Sequence, residues 1–223
     1  MSQDKPIRIL LVDDHQMVRQ GLIFFLSTQP GIDVVGEAAT GEEAINLVKE
    51  LAPDVVLMDI VLPKINGIEA MRIIAEEHPA TEVIILSSFI DDDKVRAAIE
   101  AGAAGYLMKD VDPSELAMAI HSTQQGKLYL HAEAARRLAE ILRPNPNERQ
   151  ESPPSVLTDR EREVIMLVTH GMSNQEIAEQ LNITLKTVKA HVSSILQKLE
   201  LGSRVQAALY ALRHHMVQLE ELP

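Results

Sequence analysis

The order of apolar runs in this 223-residue chain predicts a doubly wound α/β domain with a five-stranded parallel sheet, followed by a small all-α domain. Three observations carry that reading. Over residues 1–130, short continuous apolar runs alternate with amphipathic stretches. A polar segment with four prolines follows at 143–155. Beyond it, only helical patterns occur.

The predicted strands are Ile7–Val12, a weaker one around Val34–Val35, Val55–Met58, Val83–Leu86 and Tyr106–Met108. Most are continuous rather than alternating, as expected of parallel strands covered by helices on both faces. The helical patterns between them are Met17–Leu26, Gly41–Leu51, Ile68–His78, Asp92–Ala101 and Pro113–Gln125. Thr40 followed by Glu43 reads as a capping box, and Asp112-Pro113 as a cap residue before a proline in the first turn. Five such units make a small flavodoxin-like sheet, whose ligands sit at the carboxyl ends of the strands.

His131–Leu142 reads as one further helix. The run from Arg143 to Ser155 carries too much proline for helix or core, so it is expected to be an exposed linker. The domains are therefore 1–130, a linker helix and proline-rich linker over 131–155, and a helical domain over 156–223. In that last domain Thr158/Glu161 and Ser173/Glu176 have capping-box spacing, Thr184 and Ser203 can cap two more helices, and Gly171 sits where the first should stop.

Composition removes several functions. The chain has no cysteine, hence no disulfide, thiolate zinc site or cysteine nucleophile. No apolar run approaches the ~20 residues of a membrane span, and the first residues lack a signal pattern. A cytoplasmic protein with no membrane partner is expected. Aromatics at 3% argue against base stacking on single strands. The eight histidines are scattered without metal-ligand spacing.

The net charge of −12 is unevenly placed. Residues 1–130 hold 10 Lys+Arg against 21 Asp+Glu, whereas 184–204 carry Lys186, Lys189, Lys198 and Arg204 against Glu200 alone. An acidic first domain and a locally basic helix point to two different tasks.

Two constellations carry chemistry. Asp13 and Asp14 follow the first strand, Asp59 ends the third, Ser87 the fourth and Lys109 the fifth, so all converge on one edge of the sheet. Three adjacent carboxylates repel one another unless a cation intervenes. A hard divalent ion such as Mg²⁺ suits oxygen ligands at a shallow site. A carboxylate beside it can attack phosphorus, with Lys109 and Ser87 facing the transferred oxygens. The second constellation is a short helix over 174–181, a tight turn at 181–184 and a longer helix over 185–199. Val188, Val192, Ile195 and Leu199 form its inward stripe, with Lys186, Lys189, Ala190, Ser193 and Ser194 outside it. That is the pattern of a helix-turn-helix, whose second helix can enter a DNA major groove.

The residues resemble known families. Val12-Asp13-Asp14-His15, Leu57-Met58-Asp59-Ile60-Val61-Leu62-Pro63, Leu86-Ser87-Ser88 and Gly105-Tyr106-Leu107-Met108-Lys109 are similar to the motifs of two-component receiver domains. The resemblance implies that Asp59 accepts a phosphoryl group from a sensor histidine kinase. It also implies Mg²⁺ held by Asp14 and Asp59, by Asp13 mainly through water, and by the Val61 carbonyl. Ser87 and Tyr106 would form the switch, the ring turning inward on phosphorylation. Leu157–Glu163, Gly171–Ala178, Thr187–Val192 and Lys198-Leu199 resemble the LuxR-type helix-turn-helix. This implies that Lys189, Ala190 and Ser193 face bases, that Asn174, Lys186, Thr187 and Arg204 hold phosphates, and that the final helix (203–216) pairs two copies on promoter DNA. Together the halves resemble NarL/FixJ response regulators, and within them the LiaR/VraR-like cell-envelope-stress branch. Asp110 stands where many receivers have proline, and Ser193 where family members can carry lysine.

On this reading the chain is no enzyme beyond its own phosphorylation and dephosphorylation. The competing reading is a Mg²⁺-dependent aspartate-nucleophile phosphatase with a protein-binding tail. Against it stand the lack of a cap insertion in 1–130 and of a second acid two residues after Asp59. A regulator that works without phosphorylation is the other alternative.

Overall fold

The computed structural model describes residues 5–127, 129–134, 136, 156–214 and 216–217. The first domain runs β1 (Ile7–Val12), α1 (Gln16–Ser27), β2 (Ile32–Ala38), α2 (Gly41–Leu51), β3 (Val55–Asp59), α3 (Gly67–Glu77), β4 (Glu82–Ser87), α4 (Asp92–Ala101), β5 (Gly105–Met108), α5 (Pro113–Gln124) and β6 (Tyr129–Leu130). The strands lie in the order β2-β1-β3-β4-β5-β6, all parallel. Alternate residues of each central strand enter opposite cores. Leu10, Val12, Met58, Ile85 and Tyr106 pack on one face, and Ile9, Leu11, Leu57, Ile84 and Leu107 on the other.

Two details differ from the sequence reading. The sheet has six strands, not five. The chain after α5 turns back beside β5, where Tyr129 N–H donates to Ala104 O and His131 N–H to Tyr106 O. Only two residues pair, too few to leave an apolar signature. At α2, Thr40 accepts from Glu43 N–H, but Glu43 reaches past Thr40 to Ala39 N–H at 2.9 Å, so only half the capping box forms. The weak β2 signal has a physical reason: β2 is an edge strand, and its Asp33 and Glu37 face water. Ala132–Ala134 and Arg136 are helical, at the start of the predicted 131–142 helix; the rest of that helix and the proline-rich run lie outside the described residues.

The second domain holds α6 (Asp159–Thr169), α7 (Asn174–Gln180), α8 (Leu185–Leu199) and α9 (Arg204–Arg213). Thr158/Glu161 and Ser173/Glu176 form complete capping boxes, and Thr184 and Ser203 cap as expected. Asn182 takes φ +52° to make the tight turn. Glu161 is buried beneath α8, where its carboxylate accepts from Ser194 Oγ at 2.7 Å and Lys198 Nζ at 2.7 and 2.9 Å. Burial pushes its pKa up, but the bonds from Lys198, Ser194 and Thr158 outweigh this and hold it at about 2. Lys198 and Ser194 therefore fasten α8 to α6, although Lys198 stays exposed to water.

The domains meet where α9 lies against α4. Gln206 Nε2 donates to Glu100 O, and Asn174 N–H donates to Gln125 O at 3.3 Å. Lys127 Nζ sits 3.1 Å from Glu176 Oε1.

Gly67 opens α3 so tightly under the end of β3 that a Cβ there would lie 1.9 Å from Asp59 O. Gly21, within α1, has nothing within 4 Å of such an atom. Gly67→Ala is expected to lower unfolding free energy by about 1–3 kcal/mol in urea titrations. Gly21→Ala is expected to raise it by about 0.5–1 kcal/mol. Equal effects would contradict this packing.

Candidate functional site

The carboxyl ends of β1, β3, β4 and β5 bring the five predicted residues to one edge. Asp13 and Asp59 are almost wholly buried, their side chains 1% and 4% exposed. Lys109 Nζ lies between them, 2.6 Å from Asp13 Oδ2 and 2.6 Å from Asp59 Oδ2. The other Asp59 oxygen accepts the Val61 N–H at 3.1 Å, and Asp13 Oδ1 accepts the His15 N–H at 2.8 Å. Burial pushes the Asp59 carboxyl above its usual range even though Lys109 and the Val61 N–H pull it down. Burial alone would lower Lys109, but its bonds to Asp13 and Asp59 outweigh that and keep it above the usual lysine value.

Asp14 is more open, and its Oδ1 lies 2.6 Å from His15 Nδ1. One ligand atom from each of Asp13, Asp14, His15 and Asp59 can lie within 4.8 Å of the others. Three carboxylates at that spacing form an oxygen-rich donor set of the kind Mg²⁺ takes. Sequence reasoning assigned no role to His15, whose only signal was its place directly after the aspartate pair. Val61 and Phe89 flank the pocket with apolar side chains that are 63% and 72% exposed.

Ser87 and Tyr106, the pair the resemblance implies as a switch, both meet the Phe89 backbone, and of that expectation only the ring position differs, since Tyr106 is inward without a phosphoryl group. Ser87 Oγ does not point at Asp59: it donates to Phe89 O at 2.7 Å and accepts the Phe89 N–H at 3.3 Å. Tyr106 is already turned inward, 0% exposed, with its hydroxyl donating to the same Phe89 O at 3.3 Å. Tyr106 belongs to the same buried apolar cluster as Ala98, Ala101 and Ala103. The Phe89 carbonyl is thus a shared acceptor for both switch side chains. No cis peptide occurs among the described residues.

On the helical domain, Lys186, Lys189, Ala190 and Ser193 are exposed on α8, as predicted, while Thr187 is half-buried with its hydroxyl 2.8 Å from Thr184 Oγ1. Asn174 and Arg204 face the first domain. Arg204 donates to Asn174 Oδ1 at 2.8 Å and to Met172 O. Burial lowers its pKa to about 10, against the pull of Glu82 and Glu176. Burial at the same contact raises Glu82 to about 7 despite Arg204. Lys189, Ser193 and Arg204 line one side of a cleft of about 890 Å³, and Arg72, Glu76, Glu82 and Glu100 line the other. A recognition helix must seat in a groove about 12 Å wide between two phosphate strands, and no duplex fits in such a cleft. Two of the four cations in the basic cluster already have protein partners, Lys198 in Glu161 and Arg204 in Asn174, which charge counting could not reveal.

No described helix is long and apolar enough to cross a membrane. Residues 9–121 match the family model for the response regulator receiver domain, and 155–211 match bacterial regulatory proteins of the luxR family. The chain is 47% identical over 211 residues to the transcriptional regulatory protein LiaR of Bacillus subtilis (strain 168), covering 95% of this chain and 99% of LiaR. It is 42% identical over 212 residues to the response regulator protein VraR of Staphylococcus aureus (strain NCTC 8325 / PS 47), covering 95% and 99%. Among solved structures, the response regulator ChrA of a heme-sensing two-component system aligns with TM-score 0.53 and 33% identity over 95% of this chain and 99% of ChrA. Matched in both halves and aligned almost end to end with these regulators, the chain belongs to the response-regulator family: it is a transcriptional regulator of a two-component system, a receiver domain joined to a LuxR-type DNA-binding domain.

Proposed function

We propose that Asp59 is the phosphoacceptor and that its phosphorylation frees the DNA-binding domain from the receiver. The observation that carries this is the position of Asp59: a buried carboxylate, paired with Lys109, beside two further aspartates. In the transfer, an Asp59 carboxylate oxygen forms the new O–P bond while the N–P bond of a phosphohistidine on the sensor kinase breaks. Asp14, Asp59 and the Val61 carbonyl would hold Mg²⁺, with Asp13 acting through water; when bound, the ion supplies positive charge to the phosphoryl oxygens. Lys109 can swing its ammonium from the Asp59 carboxylate to those oxygens. Ser87 can leave the Phe89 carbonyl to donate to them, and Tyr106 then remains on that carbonyl as its side-chain donor.

The resting chain keeps Asn174 and Arg204 engaged at the receiver and leaves no space for a duplex along Lys189 and Ser193. Release would let Lys189, Ala190 and Ser193 meet bases and Asn174, Lys186, Thr187 and Arg204 meet phosphates. With so few cations per domain, affinity would come from two copies on paired half-sites about 10 bp apart. The likeness to LiaR and VraR makes cell-envelope stress the first stimulus to test.

Incubation with Mg²⁺ and a small acyl phosphodonor is expected to add about 80 Da, one phosphoryl group, at Asp59. It is also expected to tighten promoter binding by at least about tenfold, with both effects lost in Asp59→Ala. No adduct at Asp59 contradicts the proposal, and steady turnover of phosphate ester favours the phosphatase reading. Neither Val61 nor Phe89 can position a hydrolytic water over the acyl phosphate. Its loss from purified protein should therefore be slow, and a lifetime of seconds contradicts that assignment.

A further inference from the structure

Arg19, the only cation of α1, lies against the acidic edge of the sheet instead of reaching into water: its side chain is 13% exposed. Its guanidinium holds two acceptors at once. Nη1 donates to Asp13 O at 2.6 Å, and Nε donates to Glu37 Oε2, on β2, at 3.1 Å. Gln20, the next residue of α1, donates to the same Glu37 oxygen at 3.3 Å. The Asp13 carbonyl belongs to the peptide that joins Asp13 to Asp14, one residue beyond the end of β1. With Arg19 in place every polar atom of Asp13 has a partner. Its N–H donates to Ala38 O at 3.2 Å, and its carboxylate oxygens accept from His15 N–H and Lys109 Nζ. Asp14 is exposed and meets His15, so the direction of its carboxylate depends on the planar peptide from which it hangs.

We propose that Arg19 is a positioning residue of the phosphorylation site: from α1 it clamps the Asp13–Asp14 peptide so that the Asp14 carboxylate is aimed at the ion. This rests on the reading above, in which Asp14 and Asp59 hold Mg²⁺ for phosphorylation of Asp59. Arg19 touches neither the ion nor the phosphoryl group; it acts through the Asp13 carbonyl. Groups that orient metal ligands from behind carry a large share of the affinity. The bond to Asp13 O is charge-assisted and short, which makes it stronger than a neutral one. Glu37 anchors the other arm of the guanidinium, so the clamp ties α1 and β2 to the loop that carries both aspartates. Lysine keeps the charge but lacks the planar fork that meets two acceptors together. The sign of the effect separates positioning from charge. Arg19 puts positive charge near a site for a cation, so by Coulomb's law alone its removal would tighten Mg²⁺ binding. Loss of the clamp weakens that binding instead.

The test titrates Mg²⁺ into the full chain by isothermal calorimetry and follows phosphorylation by a small acyl phosphodonor across Mg²⁺ concentration. The variants are Arg19→Gln, Arg19→Lys and, as control, Arg8→Gln. Arg8 Nη1 donates to Ala52 O at 3.1 Å, the same kind of bond at the start of β1, where the sheet carries no aspartate cluster. Circular dichroism and thermal melts verify folding. Arg19→Gln is expected to weaken Mg²⁺ binding about tenfold. Its phosphorylation rate is expected to recover towards the wild-type rate at saturating Mg²⁺, because the step that suffers is ion binding. Arg19→Lys is expected to fall between wild type and Arg19→Gln, and Arg8→Gln to bind Mg²⁺ as the wild type does. Unchanged or tighter Mg²⁺ binding by folded Arg19→Gln overturns the proposal, as does an equal loss in Arg8→Gln. If Arg19→Gln does not fold, Arg19→Lys decides, and wild-type affinity there overturns the proposal. A wild type that binds Mg²⁺ more tightly than Arg19→Gln but takes no phosphoryl group at Asp59 upholds the Arg19 clamp and ends the phosphoacceptor reading. A wild type that binds no Mg²⁺ ends the metal reading and the clamp together.

Discussion

Lys109 holds two carboxylates that water barely reaches. Burying one ion is costly, and burying two of the same sign beside each other is tolerable only with a counter-charge at hydrogen-bond distance. The ammonium lies 2.6 Å from both Asp13 and Asp59, so the pocket is a three-body ion cluster with excess negative charge. Any group that adds anionic oxygens at Asp59 must redistribute that lysine and recruit further positive charge. The proposed phosphorylation of Asp59 would therefore upset the charge balance of the pocket.

A route from that cluster to the DNA-binding domain runs along one unbroken stretch of chain. Ser87 ends β4, Phe89 accepts hydrogen bonds from both Ser87 and Tyr106, Asp91 caps α4, and Glu100 near the end of α4 touches Gln206. Helix α4 spans ten residues, about 15 Å at the usual rise. If the proposed switch shifts the Phe89 carbonyl, that change would reach the near end of a helix whose far end bears on α9. Tyr106 is inward here, so under the proposed switch the group that would move is Ser87, by leaving the Phe89 carbonyl, and not the ring.

Most of the sheet was legible in sequence because buried parallel strands must be continuous and apolar, and because caps at Asp112, Thr158, Ser173, Thr184 and Ser203 obey local rules. The pocket was legible for the same reason: strand ends fix where Asp13, Asp59, Ser87 and Lys109 fall. What escaped was set by distant partners. β6 exists through two backbone bonds to β5. Lys198 is the exposed cation its sequence suggests, but its pairing with the buried Glu161 is set by tertiary structure. Val205 carries no sequence signal of its partner, and only tertiary structure places it in the receiver's core.

Charge added at Asp59 must be felt at the contact between the domains if the two halves are to act as one switch. The chain has no cysteine, so spin labels can be placed at Glu76→Cys and Glu200→Cys, which line opposite sides of the interdomain cleft. Electron paramagnetic resonance distances between them, with and without phosphodonor, test the link most directly. The expected result is a short distance at rest that lengthens on phosphorylation and stays short when Asp59 is replaced by Ala. An unchanged distance in protein shown by mass to be fully phosphorylated would contradict it.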